Sequence, residues 1–187
     1  MGQKTDQIFE RGRSFLEKGN YEQALRLFNQ VLNREPKNKE ALRNKVLIKI
    51  SEAPRKEAKE ILQFALKQLP KDDELHEIAG SFHINNKDVN TGIKHLKRSI
   101  QLNGDNELAH YGLGIISANH RSDHARAIEH FSKAIKQNAE FTEAFFNRGC
   151  SYLMEDQTDK ARQDLITARE LGHPDAEDIL DKYFDEE

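Results

Sequence analysis

Little in this 187-residue chain could serve as a covalent staple, a membrane anchor or a nucleic-acid grip. It has one cysteine, Cys150, so no internal disulfide can form, and a reducing, cytoplasmic setting is expected. No run approaches the ~20 apolar residues that span a bilayer. The opening stretch MGQKTDQIFERGRSF lacks the apolar centre of a secretory signal. Asp6 stands where the myristoylation pattern requires Ser or Thr. A basic excess is also missing. The 29 Lys and Arg are interleaved with 32 Asp and Glu, the net charge is −3, and no basic stripe of the kind that follows a nucleic acid is visible. Neither nucleic acid nor membrane is therefore expected as a partner. The one clear bias is acidic, DAEDILDKYFDEE at 175–187.

Catalytic signatures are absent as well. There is no Gly-rich phosphate loop, no C-x-x-C pair, no H-E-x-x-H and no G-x-S-x-G elbow. Cys150 with a distant histidine is the best nucleophile on offer, but a free cysteine commonly packs as a small hydrophobe. Of eight histidines, His120 and His124 flank a turn around Asp123 and His130 lies farther along the next helix. That falls short of the three or four convergent ligands that zinc needs. Glu186 and Glu187 read as a solvated tail rather than an acid–base dyad. The chain is expected to be no enzyme and to hold no metal or cofactor.

What is present is a repeat. A small residue followed four places later by a large apolar one occurs as Ala24 with Phe28, Ala58 with Leu62, Gly92 with Leu96, Ala127 with Phe131, and Ala161 with Leu165. Their first members are spaced 34, 34, 35 and 34 apart. A second series lies upstream, Gly12, Val46, Gly80, Gly114 and Gly149. A third closes each unit, Pro36, Pro70, Gly104, Ala139 and His173-Pro174. Each unit reads as two helices. Ile8, Phe9, Phe15 and Leu16 recur at helical spacing before the turn EKGN, then Ala24, Leu25, Phe28, Val31 and Leu32 form a second stripe ended by REPKN. SEAP, NNKD, HRSD and DQTD mark the later turns, and no segment alternates as a strand does. Glycine inside a helix costs about 0.5–1 kcal/mol against alanine, so its recurrence at one register predicts close helix contact there, with the large residue of the first series plugging the facing groove.

This pattern resembles the tetratricopeptide repeat (TPR) family, whose unit of about 34 residues carries L-G, A-x3-F and P signatures. The resemblance implies an all-α fold, an α-solenoid of antiparallel helix pairs in a right-handed superhelix. Five units are expected, 5–38, 39–72, 73–106, 107–141 and 142–175, followed by a capping helix and acidic tail at 176–187. The cap reading rests on the stripe Ala176, Ile179, Leu180, Tyr183 and Phe184. The second unit departs from the pattern at Val46 and Lys49, and the third at His76 and His83, so looser packing is expected in both. His76, His83 and His110 fall at inter-helical places and are expected to be partly buried and neutral.

In TPR proteins the first helices of successive units line a concave groove for an extended peptide or a partner's helix. Carried over by register, that groove takes Phe9, Arg43, Tyr111 and Phe146 at place 5 of their units. Asn44 and Asn147 come at place 6, and Arg13, Leu47, Ile115 and Cys150 at place 9. An asparagine offers one donor and one acceptor, matching one peptide unit of an extended chain, so Asn44 and Asn147 are the leading candidates. The two-carboxylate clamp that grips acidic chaperone tails is not matched from any starting unit, which argues against such a partner. The expected function is a non-catalytic adaptor binding a protein or peptide ligand in the groove. The alternative is an assembly subunit that self-associates as a homo-oligomer through its ends or convex face.

Overall fold

The computed structural model describes residues 2–184, and among them are eleven helices and no strand. Ten of them follow as five consecutive pairs: α1 (Gly2–Glu17) with α2 (Tyr21–Arg34), α3 (Lys39–Glu52) with α4 (Arg55–Gln68), α5 (Asp73–Asn85) with α6 (Val89–Leu102), α7 (Glu107–Arg121) with α8 (His124–Gln137), and α9 (Thr142–Met154) with α10 (Thr158–Glu170). α11 (Ala176–Phe184) closes the array. The short turns force antiparallel neighbours, and the result is an all-α solenoid. Glu186 and Glu187 lie outside the described residues.

The helix starts are written in Asn and Asp. Asn20, Asn38, Asp72, Asp88, Asn106 and Asp123 each accept a hydrogen bond from the backbone N–H three residues on, satisfying a donor that the first turn leaves open. Four of the turns inside the pairs pass through a left-handed residue: Gly19 at φ 70°, Lys87 at 65°, Ser122 at 49° and Asp156 at 55°. Only the first uses the residue type that adopts this region freely.

The small–large pairing decides the packing. A Cβ on Gly12 would lie 2.8 Å from the Phe28 ring, one on Gly80 2.5 Å from Leu96, one on Gly114 2.5 Å from the Phe131 ring and one on Gly149 3.0 Å from Leu165. The plugging residues are those of the sequence series, and Phe28, Leu96, Phe131 and Leu165 are fully buried. Gly114→Ala is therefore expected to lower stability. Overpacking against a ring that cannot retreat costs about 1–3 kcal/mol, and the helical gain of about 1 kcal/mol from removing glycine only partly offsets it. A urea midpoint equal to or above that of the native chain would refute this.

The expected loosening holds for the second pair only. Val46 is fully buried where the other pairs carry glycine. α3 and α4 touch over less of their length than the other pairs do, and Phe64 of α4 is 51% exposed. The third pair corrects the expectation. α5 and α6 cross closely, with Cβ positions on Gly80 and Gly92 falling 3.3 and 2.9 Å from each other's carbonyl oxygens. His76 and His83 do not wedge this pair apart. The side chain of α6 that meets them is another histidine, His95, 3.0 Å from His76 Nδ1 to Nδ1 and stacked on His83 at 5.7 Å. On α11, Ala176 and Leu180 are buried as a cap requires, whereas Tyr183 is 53% exposed beneath the Lys182 ammonium and lies off the packed stripe.

Candidate partner-binding groove

The first helices of the pairs form a row, with α3 touching α5, α5 touching α7 and α7 touching α9. The register assigns the candidate groove to their outer face, and its residues fall into three groups.

At the amino end most of the chemistry is already spent. Phe9 is 7% exposed and packs its ring 5.6 Å from Phe28, so it is core with one edge in a cleft beside Asp6 and Glu10. Arg13 is held on its own helix by Glu10 at 3.5 Å and Glu17 at 3.8 Å. Arg43 is a strut between helices. Its Nε donates to Asp72 Oδ1 at 2.8 Å, one terminal nitrogen donates to Asp72 Oδ2 at 2.6 Å, and the other reaches Glu74 at 2.7 Å. Asp72 is 2% exposed and also caps α5, so this bidentate pair ties α3 to the start of α5. Asn44 turns its amide N–H onto the Glu40 carbonyl at 2.8 Å.

The middle is open and acidic. Leu47 and Leu108, each 48% exposed, stand at opposite sides of a cleft of about 400 Å3 whose walls carry Asp73, Glu74, Glu77 and Glu107. Glu77 is the best-placed charge. Burial, and after it the neighbouring Glu74 and Glu107, push its carboxyl above the usual range, although Ser81 donates to it at 2.8 Å. Sequence reasoning puts Leu47 here and Glu77 on the lining at place 5, but it does not single out Glu74, Glu107 or Leu108. The signal was available, since Glu74 and Leu108 occupy place 2 of their units.

The carboxyl end is aromatic. Tyr111 lies 4.8 Å from Phe141, ring to ring, and its hydroxyl accepts from Asn147 Nδ2 at 3.2 Å. Asn147 also donates to the Glu143 carbonyl at 2.7 Å, so both predicted asparagines turn their donors inward. Phe146 stacks flat on His173, 3.8 Å between centroids. Ile115 and Cys150 are half-buried on the same row. Burial pushes the Cys150 thiol above its ordinary pKa, against a smaller lowering by a backbone hydrogen bond, so it stays protonated. Between them, Arg148 was read past in sequence. It bridges α9 to α10 through Asp164 at 2.6 and 2.8 Å and reaches Ser132 of α8 at 3.0 Å.

Among the described residues no group of three or more His, Cys, Asp or Glu could hold a metal ion, and no helix is long and apolar enough to cross a membrane. Comparison with known proteins gives a consistent answer. Residues 15–82 match the tetratricopeptide repeat model. A comparison with curated protein sequences gives no match. Among solved structures, Pseudomonas aeruginosa PilF superposes with a TM-score of 0.84 at 21% identity, over 98% of this chain and 86% of that one. MamA gives 0.64 at 26% identity, over 98% and 97%. YrrB, described as a TPR protein with an unusual peptide-binding site, gives 0.64 at 20% identity, over 92% and 89%. Residues 15–82 carry the tetratricopeptide repeat signature, and the helix-pair architecture of the chain as a whole is the one these solved structures share.

Proposed function

We propose that the chain is a non-catalytic adaptor whose groove takes an extended peptide segment carrying a lysine or arginine next to an aliphatic side chain. The observation that carries this reading is the central cleft, where Leu47 and Leu108 are exposed on either side of Glu74, Glu77 and Glu107. An exposed leucine pair offers an apolar seat. The carboxylates around it favour a cation, which also relieves their mutual repulsion. The same charges would repel the acidic tails that a carboxylate clamp holds. Tyr111, Phe146 and Asn147 extend the seat toward α9, and Asn147 can serve a peptide once its amide leaves the Tyr111 hydroxyl. The description of YrrB as peptide-binding supports the class of ligand; the charge of the ligand is read from this chain.

Selection from a random decapeptide display library against the full chain tests it. Binders are expected to be enriched in Lys or Arg beside Leu, Ile or Val. Glu77→Gln with Glu107→Gln is expected to weaken a selected peptide about tenfold or more, in line with two lost charge-assisted contacts. Because burial holds the Glu77 carboxyl above its usual range, affinity is also expected to fall as the pH is lowered, at a higher pH than an ordinary carboxylate would give. Enrichment of acidic sequences, or an unchanged affinity in the double variant, would overturn the proposal.

A further inference from the structure

On the opposite side of the array the electrostatics reverse. A cavity of about 370 Å3 opens between α6 and α8, with α7 behind it. Lys97 comes from α6, Arg121 from the end of α7, and Arg126 and Lys133 from α8, so four cations from three helices converge on one opening. No carboxylate lines it. Two acidic groups at its edge are engaged, Asp123 as the α8 cap 3.9 Å from Arg126 and Asp105 as acceptor from Gln137 at 2.8 Å. Behind the cations the wall is apolar, made by Ile93, Ile100, Leu113 and Ile116. The sequence hides this cluster because its members are spread over three helices.

A histidine pair stands at the inner end. His110 is 4% exposed, and its Nε2 donates to the Gly104 carbonyl at 3.0 Å. A carbonyl can only accept, so in the neutral ring the proton is on Nε2 and Nδ1 carries a lone pair. That lone pair faces His130 Nδ1 at 3.3 Å, which must therefore be the donor. The fixed tautomers leave the His130 Nε2 as the free position of the pair, on a ring that lines the cavity. The third helix pair repeats the same geometry without the cation ring: His76 Nε2 donates to the Pro70 carbonyl at 3.2 Å and its Nδ1 meets His95 Nδ1 at 3.0 Å.

We infer that this cavity is a second binding site, for a phosphate monoester carried on a small apolar or aromatic body. Four cations around an opening that no carboxylate lines, only Arg126 having an acidic neighbour, call for more than the single charge of a carboxylate, and a phosphate monoester brings about −1.5 to −2 with three acceptor oxygens. The volume falls at the lower end of the 300–1,000 Å3 typical of small-ligand sites, and the isoleucine and leucine wall has no use for a bare inorganic ion. The same chemistry is presented by a free aryl or alkyl phosphate and by a phosphotyrosine side chain. Neither source needs the concave groove, so the site stands or falls separately from it. Burial holds the His130 ring down at a pKa of about 4, with the charges of His110, Lys133, Arg126 and Lys97 adding to the effect, and an anion among those cations reverses their influence.

Phenyl phosphate titrated into the full chain at low salt, followed by calorimetry and by the imidazole resonances, tests the inference. Phenyl phosphate is expected to bind about tenfold or more tightly than benzoate, which keeps the ring and loses charge, and than inorganic phosphate, which keeps charge and loses the ring. It should shift the His110 and His130 resonances and leave His76 and His95 unmoved. Lys97→Gln with Lys133→Gln, both exposed side chains, is expected to weaken binding about tenfold with an unchanged circular dichroism spectrum. A phosphotyrosine peptide that competes for the same resonances assigns the site to a modified partner, and one that does not assigns it to a free phosphate. Equal affinity for benzoate, or a still His130, overturns the inference. So does tighter binding of the peptide DAEDILDKYFDEE, since the cavity would then take the acidic end of another copy.

Discussion

Replacing Arg148 with alanine is expected to remove about 3–5 kcal/mol of stability, the cost of leaving a buried carboxylate without its partner. Asp164 is 5% exposed and takes both of its close contacts from one guanidinium, at 2.6 and 2.8 Å. The guanidinium also holds Ser132 at 3.0 Å and lies over the rings of Phe145 and Tyr152, at 5.5 and 5.8 Å, so three helices lose a common tie. Arg43→Ala in the N-terminal half is expected to cost less. Asp72 keeps the α5 N–H of Leu75 at 3.0 Å and has the Lys39 ammonium at 4.0 Å to draw closer. The distinguishing measurement is a cycle of urea titrations. Arg148→Ala with Asp164→Ala should recover part of the single-variant loss, because the second change removes the orphaned charge. A loss below about 1 kcal/mol for Arg148→Ala would show the pair to be a solvated surface contact.

Acid is expected to unfold the middle of the array before its ends. His95 and His130 are both held at a pKa of about 4, first by burial and then by the charges of the histidines each one faces. His76 and His110 are also lowered, again chiefly by burial. The groups around the first pair are His83, Arg98 and Asp72, and around the second Lys133, Arg126, Lys97 and Asp105. A histidine whose folded pKa lies below its unfolded value of about 6.5 is bound by fewer protons when folded. Its stabilising contribution is complete above about 6.5 and is lost as the pH falls through the window down to about 4. Both rings keep some contact with solvent, so screening reduces the full effect to about 1–2 kcal/mol each, or about 2–4 kcal/mol for the two. The fixed tautomers explain why the cost cannot be avoided by rotation. One added proton per pair fits on a free Nε2, and a second destroys the Nδ1 contact. His95→Gln with His130→Gln should flatten the stability profile between pH 6.5 and 4 relative to the native chain; parallel profiles would place the acid sensitivity in the carboxylates instead.

The fold was legible because its determinants are local in register. Gly114 and Phe131 announce each other by spacing, and the structure puts a Cβ of the one 2.5 Å from the ring of the other. The groove was legible as a face but not as a set of free groups. Place 5 correctly puts Arg43 on the first-helix row, yet nothing in the spacing says that Asp72, 29 residues on, has already claimed it. Phe9 was lost to the core for a related reason, since its ring packs onto Phe28 of the partner helix, a contact that its place in the register does not announce. The histidines were read one at a time, and their meaning lies in pairs formed between helices, His76 with His95 and His110 with His130.

The loose contact between α3 and α4 makes the array unequal along its length. Repeats joined only to their neighbours behave as springs in series, so thermal bending concentrates in the softest one. Here that spring sits between a stiff amino-terminal pair and the glycine-crossed block that begins at α5. The Arg43–Asp72 strut skips over it, from α3 directly to α5, and acts as a tether that limits the swing without removing it. Leu47 lies on the near side of this contact and Leu108 on the far side, so the distance between the two leucines is the dimension that such bending would change.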